Sequence, residues 1–368
     1  MRNLLARVGA WPAGTKVAGL VVALVVVAGG AGAVIAPRLA HGRTIRSTAH
    51  PSPPVATSTP SVGTSPTSSP VPLASTLSCT LPISRGNPGS GGFLAFPQGT
   101  FTPDPQSAIT SEDGFSGLTY DRAVSKWLPV RRSAVAPDGS RYAYWDYRSA
   151  MVAVTAATGA ETTLGPRPNG AASAARLNTS WSVVEATDAG VYAVPGGSYQ
   201  GAPPGLWLFP WSGAGERQVT GSDFWQEVGG GAAWGTASQS VPEGAATTIL
   251  RLDLAGGTPT DWFARPGLQS TVVGFDASGD PVVQAMSKDV TEVWLVTGRN
   301  NGTKLLTVPP SETQGTNGPN GPNRPNVQSV VGDDKGTWLA TSDGLYLSTP
   351  SRTEKVSAVT GQLGGGCA

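Results

Sequence analysis

Residues 206–220 read LWLFPWSGAGERQVT, residues 249–263 read ILRLDLAGGTPTDWF, and residues 293–308 read VWLVTGRNNGTKLLTV. Each is an apolar run of strand formers, a turn rich in Gly, Asn or Pro, and a second short run. MVAVTAATGAETTL at 151–164 and LYLSTPSRTEKVSAVT at 345–360 have the same form. The five starts are 55, 43, 44 and 52 residues apart. That is the spacing of a four-stranded propeller blade, whereas solenoid repeats mostly run to about 20 to 35 residues.

A second hairpin precedes each of the five. Its turn lies at Pro137–Gly139, Asp188–Gly190, Gly229–Gly231, Ala277–Asp280 and Asp333–Gly336, and two hairpins make four strands per repeat. A further unit comes first, with Gly92–Phe96 followed by GLTYDRAVSKWLPV at 117–130. The expectation is an all-β propeller over residues 77–368, of six four-stranded blades, with five or seven as the alternatives. With 49 Gly and 32 Pro in 368 residues, long helices would be interrupted throughout, while tight turns between short strands are well served.

AVAPDGSRYAYWD at 134–146 resembles the Ser-Pro-Asp-Gly turn and aromatic strand of TolB-type and WD-repeat-like propellers, with Ala136 in place of the Ser. LDLAGGTPTDWF at 252–263 is similar to their closing hairpin. Asp334, Gly336 and Trp338 resemble the Asp-box turn of sialidase-like propellers, one residue short and present once. The resemblance implies an architecture for most of the chain past Leu77. Such propellers serve as hydrolases, scaffolds and receptors alike, so no function comes with it.

Ahead of the repeats, Val17–Ala36 is an uncharged run of Val, Ala, Leu, Ile and Gly. As a helix its twenty residues would rise about 30 Å, the thickness of a bilayer core. We read 17–36 as a single-pass signal anchor with 1–16 as a short cytoplasmic N-terminus. The competing reading is a cleaved signal peptide, because Ala31–Ala33 has the small-x-small look of a processing site. Residues 37–76 are rich in Pro, Ser and Thr, and from Ser47 on they carry no Lys, Arg, Asp or Glu. That composition cannot bury a core and reads as a disordered stalk. The propeller is thereby expected on the extracytoplasmic side of a cell membrane, as a monomer.

Charge and residue types exclude much chemistry. No Asp or Glu precedes Leu77, but six of the 25 Lys and Arg do, which leaves 19 basic against 24 acidic residues, a net charge of −5, for the propeller. It lacks the basic footprint of a nucleic-acid binder. Both histidines, His41 and His50, precede the repeats, which removes His-based triads and His metal sites from the propeller. No phosphate-cradling Gly motif follows a strand. No cofactor, metal or catalytic residue is expected. Carboxylate chemistry stays open, with Asp113, Asp121, Asp146, Asp188 and Glu227 as candidates, although Asp at a turn more often caps it. Asp276–Asp280 and Asp333–Asp334 are sparse as calcium ligands.

Ligand-binding candidates are Tyr120, Asp121, Trp127, Tyr144, Trp145 and Asp146, where aromatics sit beside acids and could stack on a sugar ring or anchor a protein. The plainer reading is packing between blades. The two cysteines, Cys79 and Cys367, bracket the repeats. In an oxidising compartment they are expected to form a disulfide joining the first and last blades. The functional expectation is a membrane-anchored, non-enzymatic binding or scaffold module for protein or cell-wall glycan. The alternative is a carboxylate-dependent glycan hydrolase or lyase. The full-length protein should stay in the membrane fraction after carbonate washing, with its C-terminal domain open to external protease; mature protein beginning near Pro37 in the medium would show cleavage instead.

Overall fold

The computed structural model describes residues 71–368 apart from 86–88, 113–117, 147–149, 166–179, 197–203, 223–224, 242–243, 288–289 and 309–325. The expected signal anchor and nearly all of the stalk lie outside the described residues. Among the described residues no helix is long and apolar enough to cross a membrane. The only α-helix among them is Leu73–Thr76. It leans on the last blade, where Leu73 N donates to Glu354 Oε2 at 3.1 Å.

The rest is a six-blade propeller of antiparallel sheets. Blades 3 to 6 are four-stranded, each running in chain order from its first strand to its last. Blade 3 runs from Ser180–Thr187 to Arg217–Thr220, blade 4 from Trp225–Gly229 to Thr260–Ala264, blade 5 from Gln269–Phe275 to Asn301–Val308, and blade 6 from Val327–Asp333 to Thr353–Ser357. In all four the five-repeat hairpin forms the last two strands and the turn-rich hairpin the first two. Blade 2 is a three-stranded sheet, Arg141–Asp146, Ala150–Thr155 and Glu161–Thr163. Its first-strand position is held by Arg132–Ala134, a single 3-10 turn, and by a lone bridge from Val135 to Tyr142.

Blade 1 departs from the sequence expectation. Gly92–Ala95 pairs with Thr80–Ser84 on one side and Thr100–Pro103 on the other, and the fourth strand is Gln362–Leu363 from the far end of the chain. The 117–130 segment expected to complete this unit instead holds a separate two-stranded hairpin, Thr119–Asp121 with Lys126–Leu128, inserted between blades 1 and 2. Local pattern identifies a hairpin but cannot say which neighbour it joins, because the competing strand lies more than 270 residues away, at Leu363 against Ile83.

The apolar cores lie between blades. Leu81, Ile83 and Leu94 of blade 1 pack with Trp338, Leu345 and Leu347 of blade 6 in one cluster that also holds both cysteines. Similar clusters join blades 2 and 3, 3 and 4, 4 and 5, and 5 and 6. Many tryptophans serve these seams and carry stacked cations. Arg265 sits 4.3 Å from the Trp294 ring, Arg141 4.7 Å from Trp211, and Arg251 5.0 Å from Trp262, contacts that add electrostatic attraction to buried area. Close passage of strands demands glycine at Gly190 and Gly336, where φ is +145° and +140° and a Cβ would lie 2.3 Å from the carbonyl oxygen of Phe209 or Ser348.

The seam between first and last residues is fastened several times. Cys79 and Cys367 are disulfide-bonded with Cα atoms 5.5 Å apart, within the range an unstretched bridge needs. Because the tail strand belongs to blade 1, the bridge lies in the core shared by blades 1 and 6 and ties the tail into blade 1. Thr80 N donates to Ala368 O at 2.9 Å, and Gly364 N to Pro82 O at 2.8 Å. Asp333 Oδ2 accepts from Trp338 Nε1 at 2.8 Å and from Cys367 N at 2.7 Å, so Asp333, not Asp334, organises the turn resembling an Asp-box. Cys367→Ser opens a loop of 288 residues, for which chain entropy alone is worth about 5 to 6 kcal/mol as an upper figure. The variant should melt at a clearly lower temperature and lose blade 1 to protease first; equal melting of both proteins under non-reducing conditions would refute this.

Candidate functional site

The innermost segments of the blades surround an axial channel whose cavity measures about 730 Å³, inside the roughly 300–1,000 Å³ typical of ligand pockets. Every blade contributes to its wall. Arg131–Ser133 comes from blade 2, Glu185 from blade 3, Glu227 from blade 4, Val273–Asp276 from blade 5, Gln328–Asp334 from blade 6 and Gln362–Leu363 from blade 1.

Most charges on this wall are already engaged. Asp276 Oδ1 accepts from the amides of Ser278 and Asp280, both at 2.9 Å, so the segment considered as a calcium loop spends its first acid on its own turn. Asp333 holds Trp338 and the tail. Arg122 donates to the carbonyls of Thr80 at 2.7 Å and Gly366 at 2.9 Å. Arg131 reaches across to blade 3, donating to Ser182 Oγ at 3.4 Å and to the Val183 carbonyl.

Glu185 and Glu227 are different. They stand on the first strands of neighbouring blades, surrounded by protein except toward the channel, and among the described residues neither carboxyl has a hydrogen bond or an ion pair. Burial pushes the Glu185 carboxyl well above its ordinary 4.5, the negative charge of Glu227 pushes it further, and Arg132 and Arg131 pull it back. Burial likewise raises Glu227 to about 7, against the pull of Arg131. With its pKa at about 7, Glu227 can both give and take a proton near neutral pH. Carboxyls kept in such an environment without a structural partner destabilise the fold, and that combination marks functional clefts.

Phe275 of blade 5 lines the same cavity. Its ring covers Gly229, two residues beyond Glu227, where a Cβ would come within 2.6 Å of it. The absence of a side chain at Gly229 thus lets the half-buried Phe275 ring, which also packs on the core between blades 4 and 5, lie against the strand that carries Glu227. Arg132 is exposed and makes one long hydrogen bond, 3.4 Å to the Val135 carbonyl.

None of the six residues expected to bind a ligand lines this cavity. Trp127 is 1% exposed and donates from Nε1 to Asp104 Oδ2 at 2.9 Å. Tyr120 meets Phe93 and Trp127 edge-on, with centroids 4.8 and 5.4 Å apart. Asp121 is 7% exposed; its Oδ1 caps Ala123 N at 2.8 Å. Tyr120 and Trp127 pack the inserted hairpin against blade 1, while Asp121 lies beside Gly139 of blade 2. Tyr144, Trp145 and Asp146 lie on blade 2. Tyr144 donates to Glu161 Oε1 at 3.2 Å, and its hydroxyl is pushed up to about 12 by burial and then by the charge of Glu161. Trp145 packs 6.3 Å from Trp181, and Asp146 pairs with Ala150. Of the carboxylates considered for catalysis, Asp113 lies outside the described residues, Asp188 is an exposed turn residue, and Glu227 faces the channel. Glu185 was missed. Its signal is present in the sequence, since SWSVVEAT at 180–187 and WQEVG at 225–229 each carry one Glu in an otherwise uncharged strand.

No protein-family model and no curated protein matches the chain. Among solved structures it is similar to a proposed gluconolactonase, at 13% identity and a TM-score of 0.36, over 68% of this chain and 79% of the other. It is also similar to the extracellular domain of a proposed one-component system from B. thetaiotaomicron, at 10% identity and TM-score 0.37 over 74% of this chain. A third similarity is to the extracellular domain of a proposed hybrid two-component system from the same organism, at 12% and 0.27 over 77%. The chain spans 38% and 40% of those two. At these scores nothing about activity follows, and the architecture rests on the sheet topology.

The raised carboxyl makes stability pH-dependent. Glu227 binds its proton more tightly in the folded state, so its penalty is absent below about pH 4.5, grows as pH rises toward about 7, and is constant above that. The full penalty is on the order of 3 kcal/mol. Glu227→Gln should therefore be more stable than the parent at pH 8 and no more stable at pH 4, as read by urea denaturation. An equal or lower stability at pH 8 would contradict the assigned environment.

Proposed function

We propose that this chain is a membrane-tethered, extracytoplasmic propeller that binds a protein or cell-wall glycan at its axial channel without transforming it. The observation that carries the reading is the Glu185–Glu227 pair, which faces a ligand-sized cavity and has no role in holding the ring together. The disulfide supports an oxidising compartment, and the uncharged run at 17–36 supports the tether. Within the propellers, the 134–146 hairpin favours the TolB-type and WD-repeat-like group.

A second reading, a carboxylate-dependent glycan hydrolase or lyase, draws on the same pair, because one carboxyl near pKa 7 beside another is suited to general acid–base work. One experiment separates the two. Full-length protein in detergent is incubated with cell-envelope extract, and both captured material and newly formed reducing or unsaturated sugar ends are measured. Binding without turnover is expected, lost in Ser133→Trp, which puts a bulky ring on the cavity wall, and in Glu227→Gln. Capture that survives Ser133→Trp would exclude the channel as the binding site, and turnover abolished by Glu227→Gln would establish the hydrolase or lyase.

A further inference from the structure

We infer that the channel ligand is a neutral, hydroxyl-rich sugar unit, gripped through its hydroxyls by Glu185, Glu227 and Arg132 and through its C–H face by Phe275. The inference rests on the binding reading and names the class of ligand.

Charge decides against the other classes. The charged groups lining the cavity with the pair are Arg122 from the inserted hairpin, held by the Thr80 and Gly366 carbonyls, Arg131 and Arg132 from blade 2, Asp276 from blade 5, and Asp333 and Asp334 from blade 6. Asp276 and Asp333 are held by turn amides, and Asp334 by Lys335 at 2.6 Å. An anionic ligand would bring its charge against two half-buried carboxyls. A cationic one would enter beside Arg131 and Arg132. A neutral ligand meets neither objection, provided it supplies several donors and acceptors at short spacing.

Hydroxyl groups do this, since each donates one hydrogen bond and accepts two. An ionised carboxylate accepts from them, a protonated carboxyl donates to them, and the free edge of Arg132 donates as well. A pyranose ring carries such groups on adjacent carbons, whereas a peptide offers one backbone donor and one acceptor per residue. The Phe275 ring adds the remaining half of the match, because the hydroxyls of a sugar leave a C–H face that packs on an aromatic surface. The volume of about 730 Å³ leaves room for more than one ring.

The test uses full-length protein in detergent and saturation-transfer NMR with cellobiose, maltose, lactose and chitobiose, and with a galacturonate disaccharide as the anionic comparison. At least one neutral disaccharide should receive saturation, most strongly at the C–H protons of one ring face. Glu185→Gln and Glu227→Gln should each weaken it ten-fold or more. Phe275→Leu, which keeps apolar volume and removes the aromatic face, should weaken it three-fold or more, and serves alone if a Gln variant fails to melt cooperatively. Affinity should also fall as pH rises through about 7, where Glu227 loses its proton. The inference is overturned if no neutral disaccharide receives saturation, if the variants bind as well as the parent, or if galacturonate is preferred. If a protein is captured through the channel while every sugar fails, the binding reading stands and the sugar inference falls.

Discussion

The ring depends on one constraint: its first blade cannot be completed until the last residues of the chain return to it. Gln362–Leu363 supplies the strand that Thr80–Ser84 lacks, and around it the tail is tied by backbone hydrogen bonds, by Asp333 and by the disulfide. Such a contact has a large loop-closure cost, which rises only slowly with loop length. Once made, it completes the four-stranded first blade and encloses an axial channel. The tail Gly364–Gly366 has no side chains to bury, and what holds it is hydrogen bonding, with Arg122 clasping Gly366 and Thr80 together.

Enclosure creates the electrostatic problem that the channel wall then resolves unevenly. Innermost segments are brought together from six blades, so polar residues that would be solvated on a lone hairpin face one another across the channel. Most are satisfied locally. Asp276 and Asp333 cap turns, Arg122 ties the seam, and Arg131 bridges blades 2 and 3. Glu185 and Glu227 are left with mutual repulsion, burial and only the distant help of two guanidiniums. A scaffold with no further task would be more stable with a polar, uncharged residue at either position, and this is the physical ground for placing function there.

Much of the architecture was legible because strands and turns are local. The five outer hairpins and four of the five turn-rich hairpins before them appear where the sequence places them, since alternation and Gly, Asn and Asp turns act over a few residues; in blade 2 a 3-10 turn and a lone bridge replace the first strand. The disulfide was legible for a different reason: two cysteines flank all the repeats, and there is no third to compete. Tyr120 and Trp127 were less transparent. An aromatic beside an acid looks the same on a binding rim as in a seam, and here Asp104, sixteen residues before Tyr120, takes the Trp127 indole hydrogen bond.

By itself, then, the sequence determined the fold class, the two-hairpin blade and the pairing of Cys79 with Cys367. Tertiary structure alone decided that 119–128 stands apart as an inserted hairpin, that blade 1 borrows its fourth strand from the tail, and that Glu185 and Glu227 share a wall. Each of these joins positions tens to hundreds of residues apart. Hydrophobic pattern records which face of a strand is buried, but it carries no information on which strand, or which carboxyl, will lie on the other side of a closed ring.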